Sequence, residues 1–146
     1  RIHAKIADAR TDALHKVTTM LADENQVLCM EDLNAKGMVR NHHLAKAVSD
    51  ASFGEFARLL EYKCAERGRT LVKVDRFYPS SKTCSGCGHR LDALPLSVRS
   101  WDCPSCGVHH DRDVNAAKNI LAEGKRIFSN TEGTAGHAGT VAATVA

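Results

Sequence analysis

Four cysteines constrain this chain more than any other feature. Cys84 and Cys87, then Cys103 and Cys106, form two C-x2-C pairs with fifteen residues between them, a spacing that suits four thiolates on one tetrahedral Zn2+ ion. Each pair can fold into a tight knuckle with both sulfurs facing one point, and turns near Gly86 and Gly107 offer the backbone freedom this requires. Two knuckles close the tetrahedron and leave no open position, so a structural rather than a catalytic ion is expected. About thirty residues with little apolar content cannot hold a fold alone, and metal binding would supply most of the folding free energy there.

A redox dithiol and a disulfide framework are the competing uses of these thiols, and two pairs at ribbon spacing favour zinc over both. Cys29 and Cys64 stand alone in apolar patterns and read as small core residues. His89, His109 and His110 lie close by, but four thiolates already satisfy the ion, so each is expected on the surface or against backbone.

Around the ribbon the pattern is that of an α/β domain. Ile2, Ile6, Ala9, Ala13, Val17 and Met20 recur at steps of three and four, one face of an amphipathic helix ending near Ala22 and Asp23. Val27-Leu28-Cys29-Met30 is a short unbroken apolar run between turn residues, as expected of a strand buried on both faces of a parallel or mixed sheet. Residues 33 to 47 read as an irregular connection. Ser52 and Glu55 form a capping-box pattern before Phe53, Phe56, Leu60 and Cys64, with Gly68 as the stop. Thr70 to Val74 is a second strand, closed by Pro79-Ser80-Ser81. A last helix starts at Asp111, with Val114, Ala117, Ile120 and Leu121 on one face and Gly124 past its end. From Ser129 on, Gly, Ala and Thr dominate without periodicity, which predicts a disordered tail over 129–146. In such sheets chemistry gathers at the carboxyl ends of strands, where Glu31 falls.

The whole formal charge of +3 resides between Leu71 and Ser100, where Lys73, Arg76, Lys82, Arg90 and Arg99 face only two acids. These cations could offset the −2 of a four-thiolate zinc site or meet a phosphate backbone, though an ordinary solvated surface carries a similar charge. No window approaches the roughly 18 consecutive apolar residues of a membrane helix, and the first residues hold no apolar signal core. The chain opens on arginine inside a helical pattern, which reads as a fragment.

Two acidic segments stand out: Glu31-Asp32-Leu33-Asn34 after the first strand, and Asp111-Arg112-Asp113-Val114-Asn115-Ala116-Ala117 at a helix start. An acid after a strand is usually a solvated turn residue, and an Asp at a helix start is usually a cap. Asp111 takes the capping role more naturally than Asp113. Their combination with a zinc ribbon placed directly before the second segment raises the pair above those ordinary readings.

Glu31-Asp32-Leu33-Asn34, Phe77-Tyr78-Pro79-Ser80-Ser81-Lys82-Thr83-Cys84-Ser85-Gly86-Cys87-Gly88, and Cys103-Pro104-Ser105-Cys106-Gly107 running into Asp111 to Ile120 resemble the C-terminal portion of the TnpB (OrfB) proteins of insertion sequences, relatives of compact type V CRISPR nucleases. The resemblance covers about residues 1–121. It implies a partial RuvC/RNase H-like fold with an inserted four-cysteine zinc ribbon: a core over 1–78, the ribbon over 79–109 and a final core helix over 110–128. It further implies a prokaryotic, cytoplasmic, transposon-encoded DNA endonuclease guided by RNA, with DNA and guide RNA as partners and no membrane. Carried onto this sequence, Glu31 becomes the second catalytic carboxylate and Asp113 the third, both ligands of Mg2+, with Cys84, Cys87, Cys103 and Cys106 on Zn2+. The family's first catalytic aspartate lies on an early strand in a Gly-Ile-Asp-like segment, and no such segment stands in this sequence. The expectation is therefore a chain that is inactive alone. The alternative is a non-catalytic zinc-ribbon module, or decayed remnant, that binds nucleic acid through its basic residues.

Overall fold

The computed structural model describes residues 2–34, 37, 52–131 and 141–143. Its elements are α1 (Ile2–Glu24), β1 (Val27–Glu31), α2 (Phe53–Glu66), β2 (Thr70–Val74), β3 (Ser100–Asp102), β4 (His109–Asp111), α3 (Arg112–Thr131) and β5 (Val141–Ala143). One sheet has the order β2-β1-β5, and a second consists of β3 and β4. Most of the connection expected over 33 to 47 lies outside the described residues. Of the stretch expected to lack structure from Ser129, the last helical residues to Thr131 and the strand β5 are described.

By contacts the chain divides into two units. The first holds α1, α2 and the beginnings of β1 and β2; the second holds the ends of β1 and β2, the cysteine segment and α3. The cysteine segment and the final helix lie in the same one of these units.

Val27 to Met30 of β1 are all buried, as an unbroken apolar run requires. The Thr70 N–H donates to the Gln26 carbonyl at 3.0 Å and the Asp32 N–H to the Val74 carbonyl at 2.8 Å. Bonds that ascend together along both strands in this way mark a parallel pair.

In the first unit α1 packs against α2. The helix expected from periodicity is there, but the buried side is not the expected one. Thr18 and Ala22 are buried, while Ile2, Ile6, Val17 and Met20 are exposed. Lys63 of α2 explains the inversion. Its buried Nζ donates to the His15 carbonyl at 2.5 Å, Thr18 Oγ1 at 2.8 Å and Thr19 Oγ1 at 2.7 Å. A buried ammonium needs oxygen partners, and the oxygen-bearing edge of α1 supplies them. Burial pushes the Lys63 amine below its ordinary value, helped by Arg67 and opposed by Asp23 and Glu66.

The capping box is also absent. Ser52 lies in the left-handed region with φ 53° and makes no side-chain cap hydrogen bond. Glu55 pairs instead with Arg58, one turn on. Gly68 does end α2, with φ 61° and its N–H donating to the Ala65 carbonyl, the left-handed stop that glycine adopts without strain.

In the second unit α3 runs through Gly124 rather than ending before it. Gly124 is buried, and a Cβ placed on it would meet the Cβ of Cys29 at 2.7 Å. The glycine permits close approach of helix and strand instead of terminating the helix. The buried face of α3 is Asn115, Ala116, Asn119, Ile120 and Gly124, whereas Val114, expected inside, is exposed.

Candidate metal centre and flanking carboxylates

The two cysteine pairs fold alike. In the first, the Cys84 N–H donates to the His89 carbonyl at 2.8 Å and the Gly88 N–H to the Cys84 carbonyl at 2.9 Å. In the second, the Cys103 N–H donates to the Val108 carbonyl at 3.0 Å and the Gly107 N–H to the Cys103 carbonyl at 2.8 Å. Gly88 and Gly107, each four residues after the first cysteine of its pair, have φ of 79° and 72°, a region open to glycine. Gly88, not Gly86, therefore supplies the freedom in the first knuckle. The antiparallel pair β3–β4, with Trp101 opposite His110, links the second knuckle to α3.

All four sulfurs lie within 4.8 Å of one another. Cys84 and Cys106 Sγ are 3.7 Å apart, and Cys87 and Cys103 Sγ 3.6 Å. Four sulfurs at about 2.3 Å from one ion occupy corners about 3.8 Å apart, so the quartet has the dimensions of a tetrahedral metal site. A disulfide needs about 2.05 Å, and the cysteines are free thiols. Burial raises the Cys103 thiol, but backbone donors at Cys106 and Ser105 and the neighbouring sulfurs outweigh it and bring it down to about 6. Cys106 accepts from Val108, which lowers its thiol, yet the crowding sulfurs push it up to about 12. Four sulfurs this close cannot all ionise without a cation among them.

His110 departs from expectation. It is buried, its Nε2 lies 3.0 Å from Cys84 Sγ, and its ring packs on Trp101 with centroids 4.7 Å apart. His89 and His109 are exposed as expected, and His109 Nδ1 pairs with Asp102 at 2.7 Å. Cys84, Trp101 and Cys103, with Leu91, Leu94 and Val98 against them, form the small apolar core of this segment. Cys29 and Cys64 are buried core residues.

Glu31 ends β1 half-buried, and burial pushes its carboxyl above the ordinary value. The next residue, Asp32, is fixed at its backbone to Val74 and at its side chain to Arg76, Nη2 to Oδ2 at 2.9 Å. Asp111 Oδ1 accepts the N–H groups of Asp113 and Val114, both at 3.0 Å. It caps α3 and leaves the Asp113 carboxylate for other work. Asp113 is exposed, with Arg99 Nη1 3.8 Å from its Oδ2. Glu31 and Asp113 belong to one unit, on elements that touch where Cys29 meets Gly124. Among the described residues, neither Glu31 nor Asp113 belongs to a group of three or more His, Cys, Asp or Glu side chains able to hold a metal. Of the basic residues, Arg76 and Arg99 are paired with Asp32 and Asp113, Lys82 donates to the Asp92 carbonyl at 3.0 Å, and Lys73 and Arg90 lie on the exposed surface.

Sequence reasoning missed Asn115 and Asn119, both buried on α3 and bonded to the segment that leads into Cys84. Their spacing of four, on the same face as Ala116 and Ile120, was the available signal.

Comparison with known proteins fits this arrangement. Residues 53–120 match the family model for the Cas12f1-like TNB domain. A Streptomyces pristinaespiralis protein named "Putative RNA-guided DNA endonuclease" is 54% identical over 124 residues, 85% of this chain and 31% of that protein. The TnpB-like protein L79 of Acanthamoeba polyphaga mimivirus is 31% identical over 130 residues, 85% of this chain and 24% of its own length. The chain is of the TnpB type. This TnpB-type sequence spans roughly a quarter to a third of the length of these relatives. In fold it matches a chain of the Cas12f1-sgRNA-target DNA complex with a TM-score of 0.62 at 23% identity, covering 81% of this chain and 35% of that one. The mixed α/β fold is thus shared with that Cas12f1 chain, and the four-cysteine cluster is compatible with a zinc ribbon. Among the described residues no helix is long and apolar enough to cross a membrane.

Proposed function

We propose that this chain is part of an RNA-guided, divalent-metal-dependent DNA endonuclease, to which it contributes two metal-holding carboxylates and a structural zinc site. The observation that carries the reading is the 54% identity over 124 residues to the Streptomyces relative. A stretch of that length in a chain of 146 necessarily includes positions 31 and 113.

Glu31 and Asp113 are the proposed ligands of Mg2+, a hard cation that takes oxygen donors. When bound in such a site, divalent ions activate water and stabilise the departing oxygen of a phosphodiester. Burial pushes the carboxyl of half-buried Glu31 above its ordinary value, and a neighbouring positive charge would oppose that shift. Asp113 is relieved of capping by Asp111, and its partner at 3.8 Å, Arg99, is exposed and easily displaced. Cys84, Cys87, Cys103 and Cys106, whose sulfurs cluster, would hold Zn2+ as a structural ion that leaves no ligand position open for the reaction. Lys73, Arg76, Lys82, Arg90 and Arg99 are proposed to face the phosphates of DNA or guide RNA.

Hydrolysis by two ions about 4 Å apart needs several carboxylates converging on one point. Two suffice for one ion at most, so cleavage is expected of a longer protein that includes this stretch and not of the stretch alone. The test is guided cleavage of a DNA target with Glu31→Gln and Asp113→Asn in such a protein. Each substitution removes several kcal/mol of transition-state stabilisation and is expected to slow cleavage by at least about a hundredfold. Cleavage unchanged in both, with salt-sensitive nucleic-acid binding that needs no divalent ion, would instead favour the non-catalytic module.

A further inference from the structure

Asp113 lies between two residues that both grip Cys84. On one side, His110 Nε2 reaches Cys84 Sγ at 3.0 Å. On the other, Asn115 holds the backbone on either side of that cysteine: its Nδ2 donates to the Thr83 carbonyl at 2.8 Å, and its Oδ1 accepts the Ser85 N–H at 2.9 Å. Asn115 Nδ2 also reaches the Ser81 and Ser80 carbonyls at 3.3 and 3.4 Å. One turn further along α3, Asn119 Nδ2 donates to the Ser80 and Thr83 carbonyls at 2.7 and 2.6 Å. Both asparagines are buried. The carbonyls of Ser80, Ser81 and Thr83 therefore find their donors in two side-chain amides of a helix, where buried carbonyls usually find a strand.

The first turn of α3 is held from a second direction. The Arg112 N–H donates to the Arg99 carbonyl at 2.8 Å, and its Nη1 donates to the Leu96 carbonyl at 2.9 Å. The helix start that bears Asp113 is thus tied to both the first knuckle and the loop before the second.

From this network we infer that Asn115 is a positioning residue: it transmits the order of the metal-loaded cysteine quartet to the helix start that presents Asp113. The inference rests on the proposed role of Asp113 as a divalent-cation ligand. Asn115 itself lies two residues and about 200° around the helix from Asp113, and its amide bonds backbone groups of residues 80–85. The quartet then contributes to the second metal site at a distance, by fixing where one of its carboxylates stands. Reciprocal coupling of this kind needs two sites and a shared element whose order both bias, and residues 110–115 are that element.

The test uses the full chain with its cysteine quartet stripped or loaded with Co2+, read by the thiolate absorption of the ion and by amide hydrogen exchange at Arg112, Asp113 and Val114. Loading is expected to slow exchange at these amides by about tenfold or more in the unsubstituted chain. In Asn115→Leu, Co2+ still binds one to one, and loading no longer slows them. Should Asn115→Leu fail to take up Co2+, Asn119→Ala, which leaves the Ser85 bond intact, is expected to keep most of the protection. Equal protection on loading in Asn115→Leu, or none in the unsubstituted chain, overturns the inference. A second readout is Mg2+-titrated cleavage by a protein containing this stretch. There Asn115→Leu is expected to raise the Mg2+ midpoint by about tenfold while the rate at saturating Mg2+ recovers. If Asp113→Asn leaves cleavage intact, the nuclease role of Asp113 fails, while the exchange result still decides the coupling.

Discussion

Gly124 of α3 lies directly over Cys29 of β1, so close that a methyl group on the glycine would come within 2.7 Å of the cysteine Cβ. The contact joins the strand that ends in Glu31 to the helix that begins beside Asp113. Nothing larger than hydrogen fits between them.

Gly124→Ala should therefore destabilise the fold by about 1–3 kcal/mol, the usual range for overpacking a filled core, even though alanine is the better helix former. Denaturant unfolding measures the loss. Cys29→Ala on the same background removes the sulfur but not the Cβ, so partial recovery is expected. Full additivity of the two substitutions would show that they do not meet.

His110 is expected to act on the metal through Cys84. It stands in the place of an outer partner to a ligand sulfur, and loss of such partners typically costs 10–100-fold in metal affinity. His110→Ala should weaken Zn2+ binding by about that factor while a competing chelator still finds one ion per chain. His109→Ala, whose ring is exposed and paired with Asp102, should leave affinity unchanged.

Lys63 makes the α1–α2 contact dependent on pH. Burial depresses its amine below the ordinary 10.5, so the folded state gives up the proton more readily than the unfolded one. The contribution is present above 10.5 and is lost as pH falls through the depressed value. Lys63→Met titrates in neither state. The stability of the unsubstituted chain relative to Lys63→Met, followed by thermal melts, should therefore rise toward alkaline pH. A difference that is flat with pH would mean that the amine is solvated.

Glu31 gives the opposite trend. Its carboxyl is raised by burial above the ordinary 4.5, so its favourable contribution is complete below that pH and is lost as pH rises through the raised value. Glu31→Gln should be the more stable chain at neutral pH, with the gap closing in acid. A fully solvated turn residue would show no such gap.

The cysteine quartet was legible because four ligands in two local pairs need only short-range geometry to converge. The helices were legible from periodicity, and the parallel strand from its unbroken apolar run. Which face each helix turns inward was not. The apolar stripe of α1 is exposed because Lys63 draws the threonine edge inward. The buried face of α3 is led by two asparagines whose partners lie thirty or more residues away. Buried polar pairing of this kind is fixed by tertiary contacts that no local pattern records. Gly124 is a related case: a glycine that ends a helix and one that admits a neighbour look alike in sequence. The Ser52–Glu55 signature went the other way, since Arg58 captures the glutamate.

The proposal that Glu31 and Asp113 hold a common divalent cation can be read out by paramagnetic broadening. With the cysteine quartet filled by Zn2+, Mn2+ is titrated into the full chain and the backbone amides of Glu31 and Asp113 are followed by NMR. Both signals are expected to broaden with one midpoint, and Asp113→Asn is expected to shift the midpoint at Glu31 as well. Broadening at only one of them, or at both with unrelated midpoints that Asp113→Asn leaves unlinked, would contradict the proposal.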